Sequence, residues 1–334
     1  MKLALLLYPH QNIRYRASLL QIALEETRLV FDTLETPTDI HPEEIGGAQF
    51  LICQPDRPLS KRELGFLGHL SSVYMIFEVR DEALLPLPAQ RPDYIGADLP
   101  YLLKYKGKTN EMFTDSMLTM ALAASAFSRN YDAQLNVLDP LAGKGTTLLL
   151  ALRRGYHGIG IEISKSSIEE LTAYMNRYFE FHRMKYKYQK SSLTVYGKNG
   201  GTQHKWVFSD SADHFKDGDT RSLRMICGDT RNTEAFLKAE SVHLLITDLP
   251  YGVQMGTAGK QDGILGTVSA ALPGWYCVLK TGGTLCMSFN THTVRREQLT
   301  GRLAECGFSI VETGSLAHWV EQAIERDLII ARKG

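Results

Sequence analysis

The 334-residue sequence predicts an α/β fold: a seven-stranded, mostly parallel sheet covered by helices on both faces, preceded by a small α+β domain. Beyond residue 100, short apolar strands alternate with helical segments, a pattern that is typical of a parallel sheet buried on both sides. Before residue 86 the elements follow a different pattern, and prolines interrupt the stretch between the two parts. We therefore predict an N-terminal domain over residues 1–85, a linker without regular structure over 86–100 and a second domain over 101–334.

The predicted N-terminal domain has the order strand, helix, strand, helix, strand. From the spacing of apolar residues we expect strands at residues 3–8, 50–53 and 73–77, and helices at about 12–30 and 59–70. This order suggests a small α+β domain with a mixed or antiparallel sheet.

The second domain contains seven apolar runs that we predict as strands. They cover residues 136–138, 158–161, 225–227, 244–247, 283–289, 308–311 and 328–330. Helices are expected between them, among others at 146–154 and 168–181. In a doubly wound sheet of this kind, ligands bind beyond the carboxyl ends of the strands.

The composition limits the possible functions. Lysine plus arginine and aspartate plus glutamate both number 37, so any nucleic-acid surface must be local. The five cysteines are scattered without metal-ligand spacing, which favours a reducing, cytoplasmic location and predicts no metal site. Nothing approaches the roughly 18 consecutive apolar residues of a membrane span, so no membrane partner is expected.

A glycine-containing loop, Asp139–Thr146, follows the first strand of the second domain. Gly143 and Gly145 allow a tight turn and a close approach of the backbone to a ligand, and Ala142 keeps that approach narrow. Asp139 can offer a carboxylate to the ligand. The phosphate-binding loop needs a glycine five positions before Gly143, and the dinucleotide fingerprint needs one three positions after Gly145. Neither glycine is present, so both alternatives are unfavourable.

Acidic residues also end the second and third strands of this domain. Glu162 lies where a carboxylate can accept both hydroxyls of a ribose, and Asp229 lies where one can accept a hydrogen bond from an adenine amine. With the loop, they predict a site for S-adenosylmethionine (SAM). Its predicted residues are Asp139, Pro140, Ala142, Gly143, Gly145, Thr146, Thr147, Glu162, Ile163, Asp229 and Thr230.

The strand at 244–247 leads directly into a constrained tetrapeptide, Asp248, Leu249, Pro250 and Tyr251. Its chemistry suits methylation of an exocyclic base amine, whose lone pair is delocalised into the ring. The Asp248 carboxylate and the Leu249 carbonyl can accept the amine hydrogens and direct the lone pair to the methyl group. Pro250 stiffens the backbone, and Tyr251 can stack on a flipped base. Positioning then supplies most of the catalysis.

These two motifs resemble those of the RNA methylase family that includes the tRNA guanosine-N2 methyltransferases. The family has an Asp-Pro-x-x-Gly-x-Gly-Thr loop, matched by Asp139–Thr146, and an Asp-Pro-Pro-Tyr-Gly site, matched by Asp248–Gly252. The segment Tyr105–Glu111 is similar to the family's Gly-x-Thr segment. The resemblance, over about residues 101–334, implies a class I (Rossmann-like) methyltransferase fold and a tRNA substrate, and adds Thr109 and Asn110 to the cofactor site.

The chain departs from the family pattern at two places. Leu249 stands where the first proline of the tetrapeptide is usual, which leaves the carbonyl acceptor in place but makes the target base less defined. The first hundred residues resemble the ferredoxin-like module in front of such enzymes, but a complete RNA-binding THUMP domain is not recognisable.

A basic and aromatic segment covers residues 177–206. It contains seven lysines and arginines but only one acidic residue, Glu180. Basic groups can hold phosphates while the interleaved aromatic rings stack on unpaired bases, so the segment is interpreted as an RNA surface. The residues predicted to bind nucleic acid are Arg183, Lys185, Lys187 and Lys190. The other interpretation is a solvated helix end with core aromatic residues.

Three functions are consistent with these features. The first is an RNA methyltransferase, most simply one that forms N2-methylguanosine in tRNA. The second is an N6-adenine or N4-cytosine methyltransferase on DNA or RNA, although no target-recognition domain is evident. The third is a cofactor-binding, RNA-binding protein without catalysis, against which the intact Asp248 and Tyr251 argue.

Overall fold

The computed structural model describes residues 1–9, 13–81, 83–88, 93–105, 108–195, 197–250, 263–314, 316–321 and 324–334. The N-terminal elements are β1 (Lys2–Leu7), α1 (Ile13–Thr33), β2 (Thr38–Ile45), β3 (Ala48–Pro55), α2 (Lys61–Leu67), β4 (Val73–Arg80) and β5 (Ala83–Pro86). Their strands form one sheet in the order β2-β3-β1-β4-β5, and all neighbours are antiparallel.

The three predicted N-terminal strands are present as β1, β3 and β4, and both predicted helices are present. The sequence did not reveal β2 and β5. These two strands lie at the edges of the sheet and carry mostly exposed side chains. β2 contains no apolar run, and that of β5 is only four residues long and ends in Pro86. Their conformation depends on backbone pairing with β3 and β4, which the local sequence does not encode.

The second part of the chain begins with two helices and continues with a large sheet. Its helices are α3 (Leu99–Leu102), α4 (Glu111–Ala124), α5 (Thr146–Arg153), α6 (Lys165–Phe181), α7 (Ala212–Asp217), α8 (Thr233–Phe236), α9 (Gly263–Val278) and α10 (Arg296–Glu305). Short 3-10 turns occur at Ser128–Asn130 and Thr230–Asn232. Its strands are β6 (Asn136–Asp139), β7 (His157–Glu162), β8 (Tyr186–Val195), β9 (Lys198–Phe208), β10 (Arg221–Cys227), β11 (Val242–Asp248), β12 (Leu279–Asn290), β13 (Phe308–Ile310), β14 (His318–Glu321) and β15 (Ile324–Lys333).

The order of the large sheet is β13-β15-β12-β11-β6-β7-β10-β9-β8, with β14 paired to β15. The five strands β10-β7-β6-β11-β12 are parallel and follow the order 3-2-1-4-5 of a doubly wound sheet, with the switch point between β6 and β11. β15 runs antiparallel between β12 and β13. This arrangement confirms the predicted α/β class with a largely parallel centre.

The predicted number of seven strands is wrong, because ten strands form this sheet within the described residues. All seven predicted strands are present, and β8, β9 and β14 are additional. Each addition pairs antiparallel, and β8 is mostly exposed. The segment interpreted as a basic surface is therefore largely a β-hairpin that extends the sheet beyond β10.

Helices cover both faces of the large sheet, as the apolar strands predict. On one face, Leu118 of α4 packs in a cluster with Ile246 and Leu328 of the sheet. On the other face, Trp275 of α9 packs in a cluster with Leu245 of β11 and further residues of α10. Successive strand residues point to opposite faces, which explains why adjacent residues such as 245 and 246 belong to different clusters.

The core of the N-terminal sheet continues into that of the large sheet. Leu5 of β1 and Val30 of α1 belong to the same buried cluster as Leu118 of α4. The hydroxyl of Thr33 also donates to the carbonyl of Ala123 at 2.8 Å, which ties the end of α1 to the end of α4. The division into domains at 1–85, 86–100 and 101–334 stays a prediction.

The predicted linker is not free of regular structure at its ends. β5 reaches Pro86, and α3 begins at Leu99 with Pro100 in its first turn. Both positions tolerate proline, because an edge strand and the first helical turn do not need every backbone N–H. Within the described residues, no helix is both long and apolar enough to cross a membrane.

Candidate active site

Four carboxylates lie at one edge of the large sheet. Asp139, Glu162 and Asp248 are the last residues of β6, β7 and β11, and Asp229 follows two residues after the end of β10. Because these strands are parallel neighbours, their carboxyl ends meet at the same edge, on both sides of the switch point. The structure thus brings together the four acidic residues that the sequence singled out.

The loop between β6 and α5 is held in a tight conformation by its two glycines. Gly143 and Gly145 have φ values of 51° and 84°, in the left-handed region that favours glycine. The amide of Gly145 donates to the carbonyl of Ala142 at 2.7 Å, and α5 begins at the next residue. The amide of Gly143 donates to Glu162 Oε2 at 2.8 Å, so the loop is fixed to the end of β7.

The carboxylate of Glu162 has a fixed orientation. Besides Gly143, the amide of Ser164 donates to its other oxygen at 2.6 Å. A carboxylate has about four acceptor positions, so it can accept further hydrogen bonds from hydroxyl groups. The adjacent Ile163 side chain is 66% exposed, which leaves an apolar surface beside the carboxylate on which a flat ring can pack.

Asp139 is a buried acid within this edge. It is 4% exposed, and its Oδ1 accepts a hydrogen bond from the amide of Leu141 at 3.1 Å. Burial raises the pKa of Asp139 to about 7, although a hydrogen bond with the hydroxyl of Thr147 opposes the shift and the charge of Asp248 adds to it. A positively charged ligand beside this group would compensate for the cost of ionising it.

The third strand ends in a more polar environment. Asp229 accepts hydrogen bonds from the backbone and the side chain of Arg231, and the side-chain bonds are the main cause that lowers the pKa of Asp229. The hydroxyl of the next residue, Thr230, accepts a hydrogen bond from the indole of the buried Trp275 at 2.9 Å. This hydrogen bond therefore fixes the side chain of Thr230 against α9.

Asp248 is held by two hydroxyl donors and one guanidinium from three other parts of the fold. The hydroxyl of Ser288, at the neighbouring position of β12, donates to Oδ1, and the hydroxyl of Thr109 donates to Oδ2. The guanidinium of Arg326 on β15 lies 3.7 Å from Oδ2. These contacts fix the rotation of the carboxylate while both oxygens retain acceptor capacity.

The structure gives a reason for leucine at position 249. The amide of Leu249 donates to the carbonyl of Ser288 at 2.9 Å and so extends the pairing of β11 with β12. Its side chain is 2% exposed and packs in the core cluster with Leu138 and Ile161. A proline at this position would lack that N–H, so leucine is the better residue for this strand end. Pro250 follows it, and Tyr251 and Gly252 lie outside the described residues.

The segment before α4 lies against the glycine loop. The hydroxyls of Tyr105 and Thr146 are hydrogen-bonded at 2.9 Å, and the ammonium of Lys144 lies 4.9 Å from the centre of the Tyr105 ring. Asn110 caps α4 by accepting hydrogen bonds from two backbone amides, and its neighbour Thr109 contacts Asp248. Thr109 therefore joins the predicted cofactor segment to the reaction site.

Three of the four predicted RNA-binding residues lie away from this edge. Lys187 is level with Val207 and Ser222, at the start of β10, whereas the carboxylates lie at the carboxyl ends. Five residues of strand separate Ser222 from the end of β10, a distance of roughly 15 Å. Arg183 and Lys185 precede β8 at the same far edge. Lys190 is level with Met225, two residues before the end of β10, and points to the opposite face of the hairpin from Lys187. The four residues do not form one surface beside the reaction site.

Ser288, Arg326 and Tyr105 are site residues that the sequence interpretation did not assign. Ser288 has a weak sequence signal, since it is a polar residue near the carboxyl end of an apolar strand. Arg326 has none, because its contact with Asp248 depends on the antiparallel insertion of β15. In the described part of the chain, no three His, Cys, Asp or Glu side chains are grouped so that they could hold a metal ion.

No protein-family model matches the chain, and no curated protein matches it. Several solved structures are similar to it. TrmN from Thermus thermophilus is 16% identical with a TM-score of 0.42, over 89% of this chain and 60% of that one. The M. jannaschii TYW2 in complex with AdoMet is 13% identical with a TM-score of 0.38, over 77% of this chain and 84% of that one.

A third similar structure is the magnesium protoporphyrin IX methyltransferase from Synechocystis PCC 6803 with bound SAM. It is 14% identical with a TM-score of 0.38, over 69% of this chain and 87% of that one. This chain spans 60% of the length of the Thermus thermophilus protein. Because the identities do not exceed 16% and the TM-scores are below 0.5, we transfer no activity or residue role from these proteins.

Proposed function

We propose that this chain is a SAM-dependent methyltransferase that acts on an exocyclic amine of a nucleic-acid base. The observation that carries the proposal is the set of four carboxylates at the carboxyl edge of a doubly wound sheet, next to a glycine loop and the Asp248-Leu249-Pro250 segment. Such an edge is where ligands bind in this class of sheet.

The residues at the edge fit the cofactor. Glu162 has acceptor capacity for the two ribose hydroxyls, Ile163 offers an apolar surface for the adenine, and Asp229 can accept a hydrogen bond from its amine. Asp139 is a buried acid whose ionisation a positively charged ligand would favour. When bound, SAM supplies an electrophilic methyl group on a positively charged sulfur.

The reaction requires the chain to position a weak nucleophile. The Asp248 carboxylate and the Leu249 carbonyl accept the two hydrogens of the base amine, and this directs the nitrogen lone pair to the methyl group. Thr109 and Ser288 keep the carboxylate oriented. As the new C–N bond forms, the nitrogen becomes more acidic, and Asp248 is the acceptor in contact for the released proton.

RNA, and tRNA in particular, is the substrate that we propose. A molecule that contacts both the reaction site and the three basic residues at the far end of the hairpin, Arg183, Lys185 and Lys187, must extend over roughly 15 Å, which a structured RNA does and a free nucleotide does not. Guanosine N2 as the target atom rests on the resemblance of Asp139–Thr146 and Asp248–Gly252 to the tRNA guanosine-N2 methyltransferases.

The test is incubation of the protein with labelled SAM and either total RNA or DNA, followed by mass spectrometry of the nucleosides. We expect label in N2-methylguanosine from the tRNA fraction. Label in N6-methyladenine or N4-methylcytosine would instead support the second class of methyltransferase. SAM binding in calorimetry without any transfer would favour a cofactor-binding protein without catalysis.

Two variants separate transfer from cofactor binding. Asp248→Ala should abolish transfer and leave SAM affinity within a few-fold, since the carboxylate acts on the base amine. Asp248→Asn, which keeps the shape and one of the two oxygens that accept from the neighbouring hydroxyls, controls for misfolding. Glu162→Gln should mainly weaken SAM binding. Equal losses of binding and transfer in the Asp248 variants would contradict the assigned role.

A further inference from the structure

We propose that Arg326 is a positioning residue of the reaction site. Its guanidinium holds the Asp248 carboxylate in the orientation in which the carboxylate accepts the base amine. This inference rests on the proposed function, because it concerns the same methyl transfer. It adds a residue that no motif of the sequence indicates.

Arg326 is buried beside Asp248. It is 3% exposed, and its Nη2 lies 3.7 Å from Asp248 Oδ2. The centre of its guanidinium lies 4.7 Å from the centre of the Phe113 ring, in the first turn of α4. The group is therefore oriented by an aromatic ring and a carboxylate together, which is an arrangement that the flat guanidinium suits better than an ammonium group.

The acidic residues on either side of Arg326 in the sequence form contacts with other residues. The neighbouring Asp327 forms an ion pair with Arg296 at 2.8 Å, and Glu325 accepts a hydrogen bond from the hydroxyl of Thr291 at 2.6 Å. Burial lowers the pKa of His318, which pairs with Arg326 across β14 and β15, and the charge of Arg326 contributes to that shift. Arginine remains charged in a protein interior, so its burial requires an opposite charge nearby.

The contact with Arg326 adds what the hydroxyl donors do not supply. The hydroxyls of Thr109 and Ser288 are neutral, and each can rotate about its own C–O bond. The guanidinium is charged and lies 3.7 Å from Oδ2, so it adds an electrostatic attraction to this oxygen that the neutral hydroxyls do not provide. A misplaced Asp248 would still lie in the site, but it would not direct the amine lone pair to the methyl group.

The test measures transfer kinetics and SAM affinity of the full chain with Arg326→Ala, Arg326→Lys and Arg326→Gln. Because loss of a positioning contact can reduce a rate about 100-fold, we expect a reduction of kcat of that order for Arg326→Ala. Arg326→Lys, which keeps the charge but not the planar fork, should retain more activity. The Kd of SAM should change by less than about threefold, since the cofactor acids are unaltered.

Chemical rescue separates positioning from structural support. Added guanidinium ion should restore part of kcat in folded Arg326→Ala, because it can occupy the vacated space beside Asp248. Arg296→Met is the matched control: it removes a guanidinium that pairs with Asp327 on the same strand, and Arg296 is no part of the proposed site. We expect its kcat to remain within about twofold of the wild type.

Three results would overturn the inference: a kcat within twofold of the wild type in Arg326→Ala, no rescue by guanidinium in the folded variant, or an equal loss in Arg296→Met. If Arg326→Ala does not fold, the test uses Arg326→Lys and Arg326→Gln. Wild-type activity in both of these variants would exclude a positioning role. Failure of the proposed function looks different, since the wild-type chain itself would then show neither SAM binding nor methyl transfer.

Discussion

Replacing Asp139 by asparagine should remove a pH dependence from SAM binding. Burial raises the pKa of Asp139 from 3.8 to about 7, a change of about 3 units, which corresponds to about 4 kcal/mol between its two protonation states. Below pH 7 the free protein therefore carries a proton on this carboxyl group. A positively charged ligand favours the ionised form, so binding should release that proton.

The expected magnitude follows from this linkage. In the wild type, the affinity for SAM should fall about tenfold for each pH unit below 7, which gives about 100-fold between pH 7 and pH 5, and should level off above pH 8. In Asp139→Asn the affinity should be weaker at pH 8 and nearly independent of pH. The hydrogen bond from the amide of Leu141 can persist to the asparagine carbonyl, so the loop should keep its conformation.

Titration calorimetry in buffers with different ionisation enthalpies measures both the affinity and the number of protons released. We expect close to one proton at pH 6 for the wild type and none for Asp139→Asn. Glu162→Gln is the control at the same edge, because it should weaken binding without changing the slope. The reasoning is refuted if the asparagine variant retains the wild-type slope, or if the wild type releases no proton at pH 6.

The same substitution has a second consequence that does not involve the cofactor. Because the pKa of Asp139 is raised in the folded protein, its carboxyl group contributes stability below about pH 4 that is lost as the pH rises through 7. Asp139→Asn should therefore be more stable than the wild type at pH 8, by at most about 4 kcal/mol, in chemical denaturation. A variant that is less stable at pH 8 would contradict the raised pKa.

Three further predictions concern stability and binding. Burial raises the pKa of Glu26 to about 7, so Glu26→Gln should increase the free energy of unfolding at pH 8 by up to about 3 kcal/mol and leave it nearly unchanged at pH 4. Leu249→Pro should lower that free energy by about 3 kcal/mol, because it removes a backbone hydrogen bond and buried side-chain contacts. Neutralising Lys185, Lys187 and Lys190 together should weaken RNA binding and reduce its salt slope by up to about 3.

Each of these has its own control. Glu26→Asp keeps a carboxyl group, so it should keep the pH dependence that the glutamine variant loses, as denaturation curves at several pH values will show. Leu249→Met retains the amide and should cost less than about 1.5 kcal/mol. For the lysine variant, the measurement is the binding of labelled tRNA at several salt concentrations. A salt slope equal to that of the wild type would exclude β8 as part of the RNA surface.

Local sequence patterns were sufficient for the centre of the fold and for the cofactor edge. Apolar runs predicted seven of the ten strands of the large sheet, including the five central parallel strands, because burial on both faces requires these to be apolar. Asp139, Glu162 and Asp248 could be located together because the carboxyl ends of parallel strands share one edge. The backbone path of the glycine loop follows from Gly143 and Gly145, whose φ values are positive.

The parts of the fold that the sequence did not predict depend on pairing between strands. β2, β5 and β8 have mostly exposed side chains, so their conformation depends on the backbone of a neighbour and leaves little pattern in the sequence. The same pairing explains the role of Leu249, whose amide continues the ladder to β12 where the related motif has a proline. It also places Lys187 level with the start of β10, away from the carboxylates.

The reaction site shows most clearly which features the sequence determined and which the tertiary structure determined. The sequence by itself determined that Asp248 ends an apolar strand, before a rigid proline and on the same edge as the cofactor acids. Only the tertiary structure determined how that carboxylate is held, because the donor Thr109 comes from the segment before α4 and the charge of Arg326 comes from the antiparallel strand β15. The contact with Thr109 spans 139 residues of sequence, and no local pattern encodes a contact that packing alone creates.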